Sequence, residues 1–180
     1  MYLATSMLAL AYAPANADQN DPKLDRLFAA LQISLSNASA ASLEREIWTI
    51  WTRYPDDQAI NRQMDRAIKI MNAGRLDDAE AIFSAIISRE PAFAEAWNKR
   101  ATVYFMIGRY DESIADCMEV LALEPRHFGA LSGLGLIYSA RDDSESALFW
   151  FREALEQNPH MPSIRQRVEE LSREVEGEAI

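Results

Sequence analysis

The sequence is poor in the side chains that carry most protein chemistry. It contains a single cysteine, Cys117, and two histidines in 180 residues, so the chain cannot close an internal disulfide. Basic residues are in the minority, 18 against 28 acidic ones, and the net charge is −10. Because a phosphate backbone requires a basic surface, this balance argues against DNA or RNA as a partner. The lack of disulfides leaves the redox compartment open.

Neither histidine belongs to a recognisable catalytic or metal-binding motif. No cysteine, aspartate or glutamate stands around His127 or His160 at the spacing of a metal site, and both are predicted as surface loop residues. Gly129, Gly133 and Gly135 lie in a helical pattern and follow no strand, which argues against a phosphate-binding loop. Close helix packing explains Gly135, whereas the other two glycines allow either ligand access or simple tolerance. The sequence predicts no enzyme activity, no metal site and no cofactor.

What the chain does contain is a regular interval. Pro91, Pro125 and Pro159 stand 34 residues apart. Six further columns keep this interval without a gap: Gln63, Trp97 and Leu131; Ala67, Ala101 and Gly135; Ile70, Tyr104 and Tyr138; Ala79, Ser113 and Ala147; Phe83, Cys117 and Phe151; Ile86, Val120 and Ala154. An internal repeat of this length indicates a stack of similar units, none of which can bury its apolar face alone.

Each unit reads as two helices. Trp97, Ala101 and Tyr104 form one apolar stripe at helical spacing. Gly74 and Gly108 are placed to end first helices, and the recurring prolines to end second helices. The positions of the breaks therefore follow from the sequence.

This pattern, with an aromatic residue near the start, a small residue four places later and a closing proline, resembles the tetratricopeptide repeat (TPR). The resemblance covers roughly 102 of 180 residues in three units, 60–93, 94–127 and 128–161. Asp142 replaces the turn glycine of the third unit, a mild departure because aspartate tolerates left-handed backbone. The resemblance implies an all-α, right-handed superhelix of antiparallel helix pairs.

The two ends of the stack differ. Residues 162–180 are predicted as a C-terminal capping helix that Pro162 opens, with a polar outer side and an apolar inner side formed by Ile164, Val168, Leu171 and Val175. A solenoid needs such a solvated end.

At the other end, residues 18–59 are predicted as a divergent helical hairpin that packs on the first unit. Its second helix follows a linker rich in serine and alanine at 34–41. Trp48 and Trp51 stand three residues apart on that helix. They either pack in the core against residues 60–93 or form an exposed aromatic partner site.

Residues 1–17 contain no charged side chain. An apolar stretch from Tyr2 to Tyr12 leads into Ala-Asn-Ala at 15–17 and then Asp18, which looks like a secretory signal although no basic residue precedes the apolar run. The stretch is too short to span a bilayer. It predicts a periplasmic protein that begins at Asp18 and has no stable membrane insertion. A retained membrane-proximal segment, or an uncleaved leader on a cytoplasmic protein, is the alternative.

The family resemblance implies a binding surface. In TPR proteins the first helices line a concave groove that holds a peptide or helix of a protein partner. The places that the family uses predict a peptide-binding set of Met64, Asp65, Ile68, Met71, Asn98, Lys99, Thr102, Phe105, Met106, Ser132 and Leu136. The predicted function is a non-enzymatic protein–protein interaction module. A self-associating scaffold of the cell envelope and an accessory subunit of an enzyme are the alternatives, and the oligomeric state stays open.

Some TPR proteins hold the free carboxylate of a chaperone tail with Lys, Asn and Arg side chains. The matching places here carry Met64, Ile68, Lys99, Gly129 and Gly133, so the resemblance implies that this clamp is missing.

Three residues outside the groove have two interpretations each. Phe149 and Trp150 should point away from the main helix crossing, where the terminal helix covers them or they form an apolar docking patch. Cys117 falls in a core column and is predicted as a buried small side chain; a reactive thiol is the alternative.

Overall fold

The computed structural model describes residues 18–55 and 57–177; the predicted leader, residues 1–17, lies outside them. A short 3-10 helix, Asp18–Asn20, precedes the α-helices of this part of the chain. They are α1 (Lys23–Gln32), α2 (Asn37–Trp51), α3 (Gln58–Asn72), α4 (Leu76–Arg89), α5 (Ala94–Met106), α6 (Tyr110–Leu123), α7 (Phe128–Ala140), α8 (Ser144–Gln157) and α9 (Pro162–Gly177). None of these helices combines the length and apolar character that crossing a membrane requires.

Helices α3 to α8 form three antiparallel pairs, each closed by a tight turn. The turn residue has left-handed backbone in all three pairs, with φ of 76° at Gly74, 76° at Gly108 and 57° at Asp142. Asp142 therefore adopts the same left-handed backbone as Gly74 and Gly108, as the sequence predicts. The predicted all-α solenoid of stacked helix pairs is confirmed.

Within the third pair, helices α7 and α8 approach closely at Gly135. A Cβ atom on this glycine would lie 2.4 Å from Cδ1 of Phe151, whose side chain is fully buried. The predicted close packing at Gly135 is confirmed. Gly133, on the same helix, has room: its Cβ would lie 3.7 Å from Sγ of Cys117, an ordinary contact.

These two glycines give a matched pair of variants. We expect Gly135→Ala to lower the free energy of unfolding by about 1–3 kcal/mol, because the buried ring of Phe151 has no space to move into. Gly133→Ala should be neutral or stabilising, since alanine is favoured over glycine in a helix by about 1 kcal/mol. Urea unfolding of both variants measures the difference. Equal free energies of unfolding would contradict the packing at Gly135.

Helix α9 covers one side of α8, as predicted, and begins at Pro162. Ile164 and Leu171 are buried in a cluster with Phe151. The terminal helix does not cover the aromatic pair on α8. Phe149 is 53% exposed, and Trp150 packs with the apolar cluster of α5, α6 and α7 instead. The expectation that α9 covers both aromatic rings is therefore wrong.

The N-terminal hairpin is placed differently from the prediction. Helix α2 crosses the stack from its last helix to its first instead of continuing the row of units. Its N-terminal residue Asn37 borders a cavity shared with His160 on the α8–α9 loop. Further along, Trp51 stacks on His127 with ring centroids 4.0 Å apart. Just beyond its end, the Tyr54 amide donates to Oδ1 of Asn61 on α3 at 2.8 Å.

Helix α1 and the 3-10 helix lie along the loops that join successive units. The Gln19 side-chain amide donates to the Ala92 carbonyl at 2.6 Å. Asp25 pairs with Arg126 at 2.8 Å, and the Gln32 side chain donates to the carbonyls of Glu156 and Gln157. One loop after another is tied to the hairpin in this way.

The linker predicted at 34–41 is shorter than expected. Helix α2 already begins at Asn37, because Oγ of Ser36 accepts a hydrogen bond from the Ser39 amide at 3.1 Å and caps the helix. The serine that suggested a loop is the cap of the helix that crosses the stack.

Candidate peptide-binding groove

The structure divides the predicted peptide-binding residues into buried and accessible ones. The buried side chains are Met64, Met71, Asn98 and Ser132. The exposed or half-buried side chains are Asp65, Ile68, Lys99, Thr102, Phe105, Met106 and Leu136. Only the second group offers surface to a partner.

Met64 and Met71 do not line an accessible groove. Met64 is 0% exposed and Met71 is 8% exposed, and both lie in the cluster that joins the first pair to Phe93 and Val103. The cause is the packing of α5 beside α3. The flexible side chains of both methionines fill the space between these two helices. Their assignment as binding residues is therefore incompatible with this structure.

Helix α2 occupies the end of the groove nearest the loops between units. The ring of Trp48 lies 5.2 Å from Nζ of Lys99 on α5. A Cβ atom on Gly129 would lie 2.6 Å from Cη2 of the same indole. Gly129 thus leaves space for an aromatic ring of the chain itself, which explains why the neighbouring Asn98 and Ser132 are buried. The two tryptophans pack in a core, but against His127 and not against residues 60–93 as predicted.

A buried carboxylate lies beneath this contact. Glu95 is 1% exposed, and its Oε1 lies 2.9 Å from Nζ of Lys99. Its Oε2 accepts from the Asn98 side chain at 2.9 Å and lies 3.1 Å from Nε2 of His127. Burial raises the pKa of Glu95, but the charge of Lys99 and the hydrogen bond from His127 outweigh it and lower this pKa to about 2. Glu95 is therefore held as an anion.

His127 is fully buried, so its prediction as a surface loop residue is wrong. Its Nδ1 accepts a hydrogen bond from the Ala130 amide at 3.1 Å and caps α7. Because Nδ1 accepts, Nε2 carries the hydrogen and donates to Glu95. The ring also stacks on Trp51 at an angle of 16°. One sequence feature does indicate the capping role of His127: it stands directly before α7. A side-chain acceptor at that position satisfies one of the free amides at the start of a helix.

His160 is half-buried and also contacts the hairpin. Its Nε2 lies 3.1 Å from the carbonyl oxygen of Leu31 at the end of α1. Both histidines therefore join loops of the stack to the N-terminal hairpin. In the described parts of the chain, no group of three or more His, Cys, Asp or Glu side chains is placed to hold a metal ion.

Beyond Trp48 the groove is open between α5 and α7. A pocket of about 140 Å³ lies there, bordered by Thr102, Phe105, Gly133, Leu136 and Ile137 among others. Leu136 is 42% exposed at its edge. An apolar cavity of about 150 Å³ is known to hold benzene, so a pocket of this size accepts one apolar side chain. It is too small for a cofactor, since typical ligand sites measure about 300–1,000 Å³.

The hydroxyl groups around this pocket are already bonded to their own backbone. Thr102 Oγ1 donates to the Asn98 carbonyl at 2.9 Å, and Ser113 Oγ to the Ala101 carbonyl at 2.7 Å. Cys117 lines the floor and is 2% exposed, and burial raises the pKa of its thiol to about 12. The prediction of Cys117 as a buried small side chain is confirmed. The pocket therefore presents apolar surface and no activated nucleophile.

Similar proteins share the repeat. A family model described as tetratricopeptide repeat matches residues 93–158. A TPR repeat-containing protein of Rhizobium etli is 33% identical over 155 residues, which cover 86% of this chain and 76% of the relative. Hsp70-Hsp90 organizing protein 1 of Glycine max is 22% identical over 129 residues, which make up 69% of this chain and 23% of that much longer protein.

Solved structures share the fold at lower identity. The first TPR domain of Spaghetti (RPAP3), bound to the HSP90 peptide SRMEEVD, matches with a TM-score of 0.63 and 21% identity over 67% of this chain and 95% of that one. A crystal structure of MamA matches with a TM-score of 0.61 and 18% identity over 78% and 79% of the two chains. With one-third identity to the Rhizobium etli protein over most of both chains, and with the repeat model matched, this chain belongs to the tetratricopeptide repeat family.

Proposed function

We propose that this TPR protein is a non-enzymatic adaptor that holds a short segment of a partner protein in the open part of its concave groove. The observation that carries the proposal is the pocket of about 140 Å³ between α5 and α7. Its apolar lining suits one leucine, methionine or phenylalanine side chain of the bound segment. TPR domains of the same fold have been solved with peptides bound, which supports a peptide as the kind of ligand.

The docked helix α2 limits which segment fits. Trp48 closes the groove on one side of the pocket, so a bound segment lies along the part formed by Thr102, Phe105 and Leu136. Met106, 52% exposed, extends the apolar surface at the far end of α5. Flexible methionine next to an aromatic ring adapts to different apolar side chains. We therefore expect recognition through one apolar anchor flanked by main-chain contacts.

The groove does not fit an acidic chaperone tail. Lys99 is the cation at the places that correspond to the clamp, and its ammonium group is 2.9 Å from the buried carboxylate of Glu95. The charge is therefore already balanced inside the protein. A tail such as SRMEEVD would bring several carboxylates to a groove that has no available cation for them at these places.

A peptide selection tests the proposal. Random peptides of about 12 residues displayed on phage, selected on the full chain, should converge on one apolar anchor, because the pocket holds a single side chain. We expect Phe105→Ala with Leu136→Ala to weaken binding of a selected peptide by about tenfold or more. The matched control, Met118→Ala with Phe149→Ala, removes two exposed apolar side chains of the second helices and should leave binding unchanged.

Circular dichroism and urea unfolding establish that both double variants are folded, and isothermal titration calorimetry gives the affinities. The SRMEEVD peptide should not bind. Equal loss of binding in the two double variants, or selection of tails that need a terminal carboxylate, would contradict the proposal.

The compartment that we propose is the bacterial periplasm, and residues 1–17 alone support it. Expression of the full chain and N-terminal sequencing of the product test it. A mature protein beginning at Asp18 supports export, whereas an intact first residue in a cytoplasmic fraction excludes it.

A further inference from the structure

The outer face of α3, at the beginning of the stack, carries a stripe of positive charge. Arg62, Arg66 and Lys69 follow one another at helical spacing, and all three are exposed. They border an open cavity of about 600 Å³ together with Asp65, Ile70 and Arg75. We call this surface, Arg62, Arg66, Lys69 and Arg75, the basic face. It is unusual in a chain whose net charge is −10.

Acidic side chains near the basic face already form ion pairs, one of them with Arg75 of the face itself. Asp65 pairs with Arg53 at 3.2 Å, and Asp78 with Arg75 at 2.6 Å. Asp57 pairs with Arg89 at 2.5 Å. Among the described residues, neither Arg66 nor Lys69 forms an ion pair.

Apart from Arg100 in the second unit, the same columns are apolar and buried in the other two units. The places of Arg62 and Lys69 are held by Ala96 and Val103 on α5, both 0% exposed. On α7, the places of all three cations are filled by Ala130, Leu134 and Ile137, which are at most 1% exposed. These faces are buried because α4 packs on α5 and α6 packs on α7. Within residues 18–55 and 57–177, no second helix of a preceding unit packs on α3, since the N-terminal hairpin crosses the stack elsewhere.

An arginine inside the stack serves as an internal comparison for Arg66. Arg100 occupies the same column and binds both oxygens of Asp116 at 2.8 Å, and it also donates to Oγ of Ser84 at 3.0 Å. In the first unit the column of Asp116 holds Ile82. Ser84 lies on the second helix of the preceding unit, which α3 lacks. In the part of the chain that the structure describes, Arg66 therefore has neither a carboxylate partner like Asp116 nor a hydroxyl partner like Ser84.

The need for a polar surface at the end of the stack does not by itself explain why the charges of this face are basic. Terminal helices of solenoids are polar, but mixed charge serves that purpose equally well. Helix α9 at the opposite end shows such a mixture, in which Arg167 pairs with Glu170. The three cations extend over about 10 Å of α3, from Arg62 to Lys69 at about 1.5 Å per residue, and Asp65 beside them is paired with Arg53.

We propose that the basic face binds an acidic amphipathic helix of another protein, packed where the second helix of a preceding unit would lie. Glutamates at i, i+4 and i+7 of such a helix meet the three cations, and its apolar stripe meets the half-buried Ile70. The charge of the face selects an acidic partner, and the packing of α4 on α5 is an example within this chain of a helix on the same side of a first helix. This second site is independent of the groove between α5 and α7.

The probe is a synthetic alanine-based peptide of about 20 residues, long enough to be helical, with glutamates at that spacing beside a leucine stripe. Its affinity for the full chain is measured by fluorescence anisotropy, and the site is mapped by amide chemical shifts. We expect shifts confined to α3 and its flanking turn. Binding should weaken by about tenfold between 50 and 300 mM salt, since exposed charges are screened over this range.

Charge reversal localises the site. Arg66→Glu with Lys69→Glu should weaken binding by about tenfold or more. The control, Arg26→Glu with Arg45→Glu, makes the same change in net charge at exposed places on the hairpin and should bind like the unchanged protein. Phe105→Ala with Leu136→Ala should also bind the acidic helix normally, so failure of the groove and failure of this site are distinguishable.

Several outcomes would overturn the proposal. They are absence of binding, equal binding of a peptide with glutamine in place of glutamate, equal weakening by the two charge-reversal pairs, and tighter binding to phosphatidylglycerol vesicles than to the peptide. Self-association that is lost in Arg66→Glu with Lys69→Glu would assign the face to a second copy of this chain and would also overturn it.

Discussion

Trp51→Ala should lower the free energy of unfolding by about 3–5 kcal/mol, the range observed when a large buried aromatic side chain is removed. Trp51 is 2% exposed. Its ring stacks on His127 and lies 5.9 Å from the ring of Phe28 and 5.0 Å from that of Phe128. The substitution therefore removes the aromatic ring that packs between the hairpin and the stack and leaves a cavity there.

Trp150→Ala is the matched control, because it removes the same side chain from a half-buried place on α8. Urea unfolding should show a smaller loss for this variant. Limited proteolysis should cut Trp51→Ala within residues 21–55 before the repeats are cut, and should not do so in Trp150→Ala. A loss below about 1 kcal/mol for Trp51→Ala would mean that the hairpin does not depend on this contact.

Glu95→Gln should lower the free energy of unfolding at pH 7 by about 3 kcal/mol, because it removes a buried anion that Lys99 and His127 surround. The effect should depend on pH. The pKa of Glu95 in the folded protein is about 2, below its ordinary value of 4.5. Ionised Glu95 therefore stabilises the fold above pH 4.5, and this contribution is lost as the pH falls from 4.5 towards 2.

The difference between Glu95→Gln and the unchanged protein should accordingly shrink over the same interval. Glu112→Gln, in an exposed ion pair with Arg109, is the control and should cost less than about 1 kcal/mol at pH 7. Urea titrations between pH 2 and 7 give the free energy of unfolding of both variants and of the unchanged protein at each pH. A difference that stays constant across that interval would contradict the charge of Glu95 as its cause.

The repeats could be predicted because their signals are local. The turn needs left-handed backbone at one place, which Gly74, Gly108 and Asp142 provide, and proline ends the second helix of each pair. Small residues such as Gly135 mark helix crossings wherever they occur in register. Each of these features is encoded within a single unit, so the sequence alone reveals it.

The position of the hairpin could not be predicted in the same way. The apolar faces of α1 and α2 show that each helix is buried on one side, but not against which surface. The sequence prediction assumed that neighbours in sequence are neighbours in space, as they usually are. Here the decisive contacts link distant residues: Gln19 to Ala92, and His160 to Leu31 over 129 positions.

The candidate site was predicted in part for the same reason. The family places identified the open lining at Thr102, Phe105 and Leu136, since these depend on the geometry of a unit. They also included Met64, which is buried by the neighbouring α5. Nothing within a unit indicated that Trp48 would fill one end of the groove.

Hydrogen exchange of the full chain tests most directly whether the hairpin is a fixed wall of the groove. If α2 is packed across the stack as described, its amides from Ala40 to Trp51 should exchange as slowly as those of α5 and α7, in one cooperative unit. Exchange of α2 at rates close to those of an unstructured peptide, with α5 and α7 still protected, would contradict the account.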